Sequence, residues 1–238
     1  NTVDVYLSFF APLGNIVAIT DWDGKQLRSG SSGAHGGIVT VRKESEEYKE
    51  RTFWEDNYRR GLSSGYGSRG DEATWKLAEI TRIAREFKVE SLTDFGSGDG
   101  HLAFALNEVL PAIRYRGIDI APTAVQANTA RALPNQTFEV GDFGREFEAP
   151  ADMVLCIDVL FHQATQERHD AVIANVCKNF RKVAVIVVWN EKIVSQYGGK
   201  FDHHCFYRPF KAPPGIKATT LVLPMEPAKE LILLTREG

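Results

Sequence analysis

The chain has 238 residues, 43% of them hydrophobic and 25% charged, which is enough to build one full α/β core with an appendage. Its net charge of −3 offers no general basic field for collecting nucleic acid, and no apolar run reaches the roughly 18 residues of a membrane span. The three cysteines, Cys156, Cys177 and Cys205, are odd in number and unevenly spaced, so they do not read as a disulfide framework. Together with the lack of a signal-peptide pattern, this leads to the expectation of a reducing cytoplasm.

Residues 1–42 differ from the rest and read as a hairpin-like β extension. Val3, Val5 and Leu7 alternate, Ile16 to Ile19 form a second apolar run, and Asp23-Gly24 is a hairpin turn signal. A glycine-rich loop at 30–37 precedes a further strand at 37–42. The expected role is packing on the main domain or on a second copy, which makes a homodimer compatible with the sequence. A separate recognition module is the alternative.

The main domain is expected over 43–238. A charged helix at 43–60 carries Tyr48, Phe53, Trp54 and Tyr58, and the loop GLSSGYGSRG follows. Residues 72–87 show helical spacing at Trp75, Ala78, Ile83 and Phe87. Then comes VESLTDFGSGDGHL: a short apolar run, the acid Asp94, glycines at 96, 98 and 100, and the start of a helix. Glycine admits positive φ and close approach of a ligand to the backbone, and a helix start offers unpaired N–H groups. The stretch is therefore a cradle for a polar cofactor. It departs from the dinucleotide fingerprint, because the third glycine is one residue early.

Beyond it, strands are expected at 113–120, 137–140, 153–159 and 182–189, and helices at 121–132 and 166–179. A long loop over 190–214 carries His203 and His204, and runs at 219–223 and 231–235 read as a closing antiparallel pair. This alternation predicts an α/β fold: a Rossmann-like, doubly wound, mainly parallel sheet. Ligands of such sheets lie at the carboxyl ends of the strands. Four polar positions fall there: the 94–100 turn, Asp119, Asp142-Phe143 and Asp158. An ionised carboxylate such as Asp119 can accept from two ribose hydroxyls at once.

The pattern D-x-G-x-G-x-G at Asp94 to Gly100, with the ordered acids after it, resembles the class I S-adenosylmethionine (SAM)-dependent methyltransferases from about residue 53 onward. That resemblance implies that Asp94, Gly96, Ser97, Gly98 and Gly100 form the turn around the methionine part of SAM. It implies that Asp119 and Ile120 lie at the ribose, Asp142 and Phe143 at the adenine, and Asp158 beside the methionine end and the acceptor. FWEDNYRRG, SGYGSRG, DFGSGDG and DVLFH resemble a bacterial subgroup associated with cell-surface polysaccharide and other glycan biosynthesis. The narrower resemblance adds Trp54, Tyr58, Ser68 and Arg69 to the cofactor site, with the Arg69 guanidinium suited to the SAM carboxylate.

A hydroxyl acceptor needs help losing its proton, and imidazole is a suitable base near neutral pH. His162, just past the fourth strand, is the candidate base, and His203 and His204 are candidates for the acceptor wall. Adjacent histidines have poor spacing for a shared ion, so no metal is expected. The expected partner is a small molecule such as a sugar, with neither membrane nor nucleic acid. Two alternatives stand beside it: an RNA methyltransferase using the N-terminal extension, and a non-catalytic subunit of the same fold. No N-P-P-Y-type motif follows the fourth strand, which weighs against methylation of a nucleic-acid amino group.

Overall fold

The structure is a computed structural model and describes residues 16–20, 26–29, 37–40, 46–190, 205–222 and 229–237. The chain divides into two compact units, Asn1–Ser45 and Glu46–Gly238. In the first, strands β1 (Ile16–Thr20), β2 (Gln26–Ser29) and β3 (Gly37–Thr40) form a sheet of order β2-β1-β3. β1 runs antiparallel to β2 and parallel to β3. The alternation at Val3, Val5 and Leu7 and the Asp23-Gly24 turn lie outside the described residues.

The second unit opens with α1 (Glu46–Arg59) and α2 (Gly70–Glu86). Then β4 (Ser91–Phe95), α3 (His101–Val109), β5 (Arg114–Asp119), α4 (Pro122–Thr129) and β6 (Gln136–Val140) alternate. β7 (Ala151–Ile157), α5 (Gln166–Asn179), β8 (Phe180–Trp189), β9 (Ile216–Val222) and β10 (Lys229–Arg236) complete it. The sheet has seven strands in the order β6-β5-β4-β7-β8-β10-β9. β4 to β8 pair in parallel, and β10 pairs antiparallel with both β8 and β9. This is the Rossmann-like, doubly wound, mainly parallel sheet that the alternation of elements predicts.

Side chains of successive strand residues point to opposite faces, and here both faces are covered. Met153 and Leu155 of β7, with Val183, Val185 and Val187 of β8, pack under Ile80, Ile83 and Ala84 of α2 and Ala103 and Leu106 of α3. Val154 and Cys156, with Ala184, Ile186 and Val188, pack under Val172, Ile173 and Val176 of α5. Such two-sided burial explains the unbroken apolar runs of β7 and β8.

Several expectations shift in detail: β7 is Ala151–Ile157 rather than 153–159, and α4 ends at Thr129 rather than 132. On α2 the buried stripe is Glu72, Lys76, Ile80, Ile83 and Ala84, whereas Ala78 is exposed. β9 begins at Ile216, earlier than its apolar pattern signals, because this edge strand is held by a backbone ladder from Ile216–Arg236 to Val222–Glu230. α5 occupies the residues expected for it, with Thr165 accepting a hydrogen bond from the Arg168 N–H as its cap.

Candidate functional site

β4 is the centre of the parallel set, with β5 on one side and β7 on the other, so the chain reverses its winding there. The crevice above these strand ends opens into a cavity of about 180 Å³. A single water needs only about 10–15 Å³ by the same kind of measure, so the space is ligand-sized.

The glycine turn shapes its floor. Gly96, Gly98 and Gly100 have φ of 86°, 55° and 75°. At Gly98 a Cβ would also collide with Ser64 and the Tyr58 hydroxyl, so the turn accepts only glycine there. Asp119 is 6% exposed and ties the turn down: its Oδ2 accepts from the Gly98 N–H at 2.8 Å and its Oδ1 from the Ala121 N–H at 2.9 Å. Each oxygen keeps a further acceptor position. Burial pushes this carboxyl up to about 6 despite those N–H groups. Asp94 is 2% exposed; its Oδ2 accepts from the Tyr115 hydroxyl at 2.5 Å. Burial raises it to about 7, against the pull of the Tyr115 bond.

Of the residues expected from the sequence, Asp94, Gly96, Ser97, Gly98, Asp119, Ile120, Asp142, Phe143, Asp158, Trp54, Tyr58, Ser68 and His162 all line this one cavity. Gly100 sits behind it as the left-handed N-cap of α3. Arg69 is outside the lining, and its Nη2 meets Asp99 Oδ2 at 2.7 Å. Burial opposes ionisation of Asp99, but Arg69 and the N–H groups of Ser64 and His101 hold its carboxyl below the usual range. His203 and His204 lie outside the described residues.

α1 forms one wall. Trp54 stacks on Tyr58 with ring centres 5.9 Å apart and meets His162 edge-on at 5.0 Å. The Tyr58 hydroxyl lies 3.0 Å from Ser64 Oγ. Burial, reinforced by the charge of Asp119, pushes the Tyr58 phenol upward, so it stays a proton donor. His162 ends a short 3-10 turn, Leu160–His162, and Cys205 Sγ approaches its Nδ1 at 4.0 Å.

Five charged groups at the site, Glu50, Glu72, Lys76, Arg168 and Lys229, were not singled out from the sequence. Arg168 on α5 ion-pairs with Glu50 of α1 at 2.7 Å and with Asp142 at 2.7 Å. Lys76 of α2 and Lys229 of β10 both reach Asp158, with Glu72 between them. One signal was present: Glu72 and Lys76 fall in phase with Ile80 and Ile83, on the face that the helix buries. Glu50 and Arg168 carried no such signal.

The acceptor set fits a cationic, hydroxyl-bearing group. Asp94 Oδ1, Asp158 Oδ1 and Ser97 Oγ are buried at the cavity wall with no hydrogen-bond partner among the described residues. Unpaired carboxylate oxygens in a buried wall are costly and become favourable against an ammonium. SAM carries an ammonium, a sulfonium and two ribose hydroxyls. Among the described residues no group of three or more His, Cys, Asp or Glu is arranged to hold a metal ion, and no helix is long and apolar enough to cross a membrane.

A family described as methyltransferase domain matches residues 87–217. No curated protein sequence matches the chain. Solved structures share the fold. Magnesium protoporphyrin IX methyltransferase (ChlM) from Synechocystis PCC 6803, with bound S-adenosylhomocysteine (SAH), is 16% identical at a TM-score of 0.54, covering 79% of this chain and 98% of that one. The N-methyltransferase NodS from Bradyrhizobium japonicum WM9, in complex with SAH, is 14% identical at 0.54, covering 78% and 99%. The methyltransferase domain of bacterial CtHen1-C is 14% identical at 0.55, covering 70% and 99%. At these identities the likeness is one of fold.

Proposed function

Because the chain belongs to the class I SAM-dependent methyltransferases, we propose that it methylates a small-molecule acceptor, a hydroxyl of a sugar or related metabolite, with His162 as the base. The observation that carries this reading is that His162 and the strand-end acids Asp94, Asp119 and Asp158 face one cavity. His162 enters from the short turn Leu160–His162 that follows β7.

On this reading Asp119 and Ile120 hold the ribose of SAM, and Asp142 and Phe143 flank its adenine. Gly96, Ser97 and Gly98 border the methionine part, with Asp94 and Asp158 accepting from its ammonium. Bound SAM supplies an activated methyl on sulfur, so the protein mainly aligns groups and excludes water. Trp54 and Tyr58 cover the cavity from α1. His162 takes the proton that the acceptor hydroxyl loses, and Trp54, edge-on against its ring, fixes the imidazole plane.

The first test is the melting temperature with SAH beside NAD. Saturation at about 100 times the dissociation constant adds roughly 2.7 kcal/mol. A shift with SAH alone is expected, and a shift with NAD alone would overturn the site map. Once an acceptor screen has found a substrate, His162→Ala should lower kcat about 100-fold or more and leave SAH affinity within about twofold. Full turnover by that variant would remove His162 from the chemistry.

A further inference from the structure

We propose that Lys76 and Lys229 are positioning residues: together they clamp one oxygen of Asp158 and so fix its other oxygen as an acceptor in the cavity wall. The inference rests on the placement of the cofactor's ammonium beside Asp158. The clamp itself is drawn from three separate parts of the chain. Lys76 lies on α2, Asp158 follows β7, and Lys229 opens β10.

The geometry converges on a single atom. Lys76 Nζ hydrogen-bonds to Asp158 Oδ2, and Lys229 Nζ lies 3.2 Å from the same oxygen. Glu72 Oε2 joins the two ammonium groups, 3.3 Å from Lys76 and 2.9 Å from Lys229. Lys76 also donates to the Gly67 carbonyl at 2.8 Å. An ammonium has three N–H bonds, and those of Lys76 are all spent on Gly67, Glu72 and Asp158. Lys76 therefore has no donor left for a ligand, although it borders the cavity, and it acts through Asp158.

Both lysine side chains are about as buried as core residues, 4% and 6% exposed. Ion clusters removed from water lose hydration on every member, so net stability is a weak reason for one. Geometric control is the stronger reason, and the backbone supports it. Asp158 has φ of 57°, one of two non-glycine residues in the left-handed region among those described. That conformation carries a cost even for aspartate, and it persists where surrounding contacts dictate it. With Oδ2 pinned by two ammonium groups, Oδ1 is left buried at the cavity wall with no partner among the described residues.

Gly67 shows how tightly the cluster is seated. A Cβ on Gly67 would lie within 3 Å of Lys229 Nζ, Asp158 Oδ2 and Glu72 Oε2. The loop that precedes α2 therefore rests on the clamp with only its backbone between them.

The test compares two ligands that differ at the end in question. SAH carries the amino-acid end, and 5′-methylthioadenosine lacks it. By titration calorimetry, Lys76→Met and Lys229→Met should each weaken SAH at least tenfold and leave methylthioadenosine within about twofold. Equal losses for both ligands would mean a merely structural role and would overturn the proposal, as would unchanged SAH affinity. A wild-type protein that binds methylthioadenosine but not SAH would also overturn it. Wild-type protein binding neither would instead strike at the cofactor reading on which the proposal rests. Should the single variants fold poorly, Lys76→Met with Asp158→Asn removes one charge of each sign. In the Asp158→Asn background the lysine change should add less than twofold to the loss of SAH affinity. Independent, multiplying losses would show that Lys76 does not act through Asp158.

Discussion

Asp94→Asn is expected to raise the melting temperature near pH 8 while weakening SAH binding. The carboxyl is buried, and burial moves it from 3.8 to about 7. A folded-state value above the unfolded one means that the native protein holds the proton over a range where the unfolded chain has released it. Wild-type stability therefore falls as pH rises from about 4 to about 7, and the loss is complete above that. At roughly 1.4 kcal/mol per unit, the cost of ionising Asp94 is on the order of 4 kcal/mol. Asparagine keeps an oxygen for the Tyr115 hydroxyl and has no charge to bury, though its new N–H groups offset part of the gain. A rise of about 5 °C at pH 8 follows for a domain of this size. The gap should shrink toward pH 4, and an equal gap at pH 5 and pH 8 would refute the assignment. On the proposed site map the same change removes a charged acceptor from the cofactor's ammonium, worth about 1.5–3 kcal/mol, so SAH should bind at least about tenfold more weakly. Stability and binding would then move in opposite directions at one residue, as expected where a strained buried charge serves a ligand.

The second large effect is expected at Arg168. Its guanidinium lies between Glu50 and Asp142, with its side chain 11% exposed and that of Glu50 6% exposed. Glu50 Oε1 also accepts from the Ala164 N–H at 2.6 Å, which fastens α1 to the chain just beyond His162. Burial pushes the Glu50 carboxyl up, while Ala164 and Arg168 pull it back. Arg168→Met strands that carboxylate in a buried site, and breaking such a pair costs about 3–5 kcal/mol. Urea unfolding should show this loss, and Glu50→Gln in the same chain should restore more than half of it. A loss below about 1 kcal/mol, or simple additivity of the two changes, would show that the ion pair does not hold α1 in place. The displaced helix carries Trp54 and Tyr58, so SAH affinity should fall with stability in the single variant and recover in the double.

Both effects bear on what could be read from the chain alone. The strand-turn-helix at Asp94 to Leu102 was legible because its causes are local. An apolar run, three glycines at alternate positions and a helical pattern lie within a dozen residues, and the backbone adopts the positive φ values that the glycines permit. Asp119, Asp142 and Asp158 were legible as strand ends because alternation of elements fixes the parallel sheet, and the sheet fixes which ends converge. The antiparallel closing pair followed from the same patterning, apart from the extent of the polar edge strand β9.

Long-range electrostatics escaped that reading. Glu72 and Lys76, four apart on a helix, have the spacing of an ordinary solvated pair. Only the tertiary fold places β10 and Asp158 against that turn of α2 and turns the pair into the floor of a clamp. Glu50 and Arg168 lie 118 positions apart, and no periodicity relates them. Arg69 shows the reverse case: the resemblance implied a cofactor carboxylate as its partner, and the fold supplies a carboxylate from within the chain, at Asp99. The sequence by itself determined the sheet, its winding and the row of acids at its carboxyl edge, because hydrophobic period and glycine backbone freedom act over a few residues. Which charges are buried, and which carboxylate oxygens stay unpaired in the cavity, only the tertiary structure decided, because desolvation and Coulomb interaction depend on distances that only the packed chain defines.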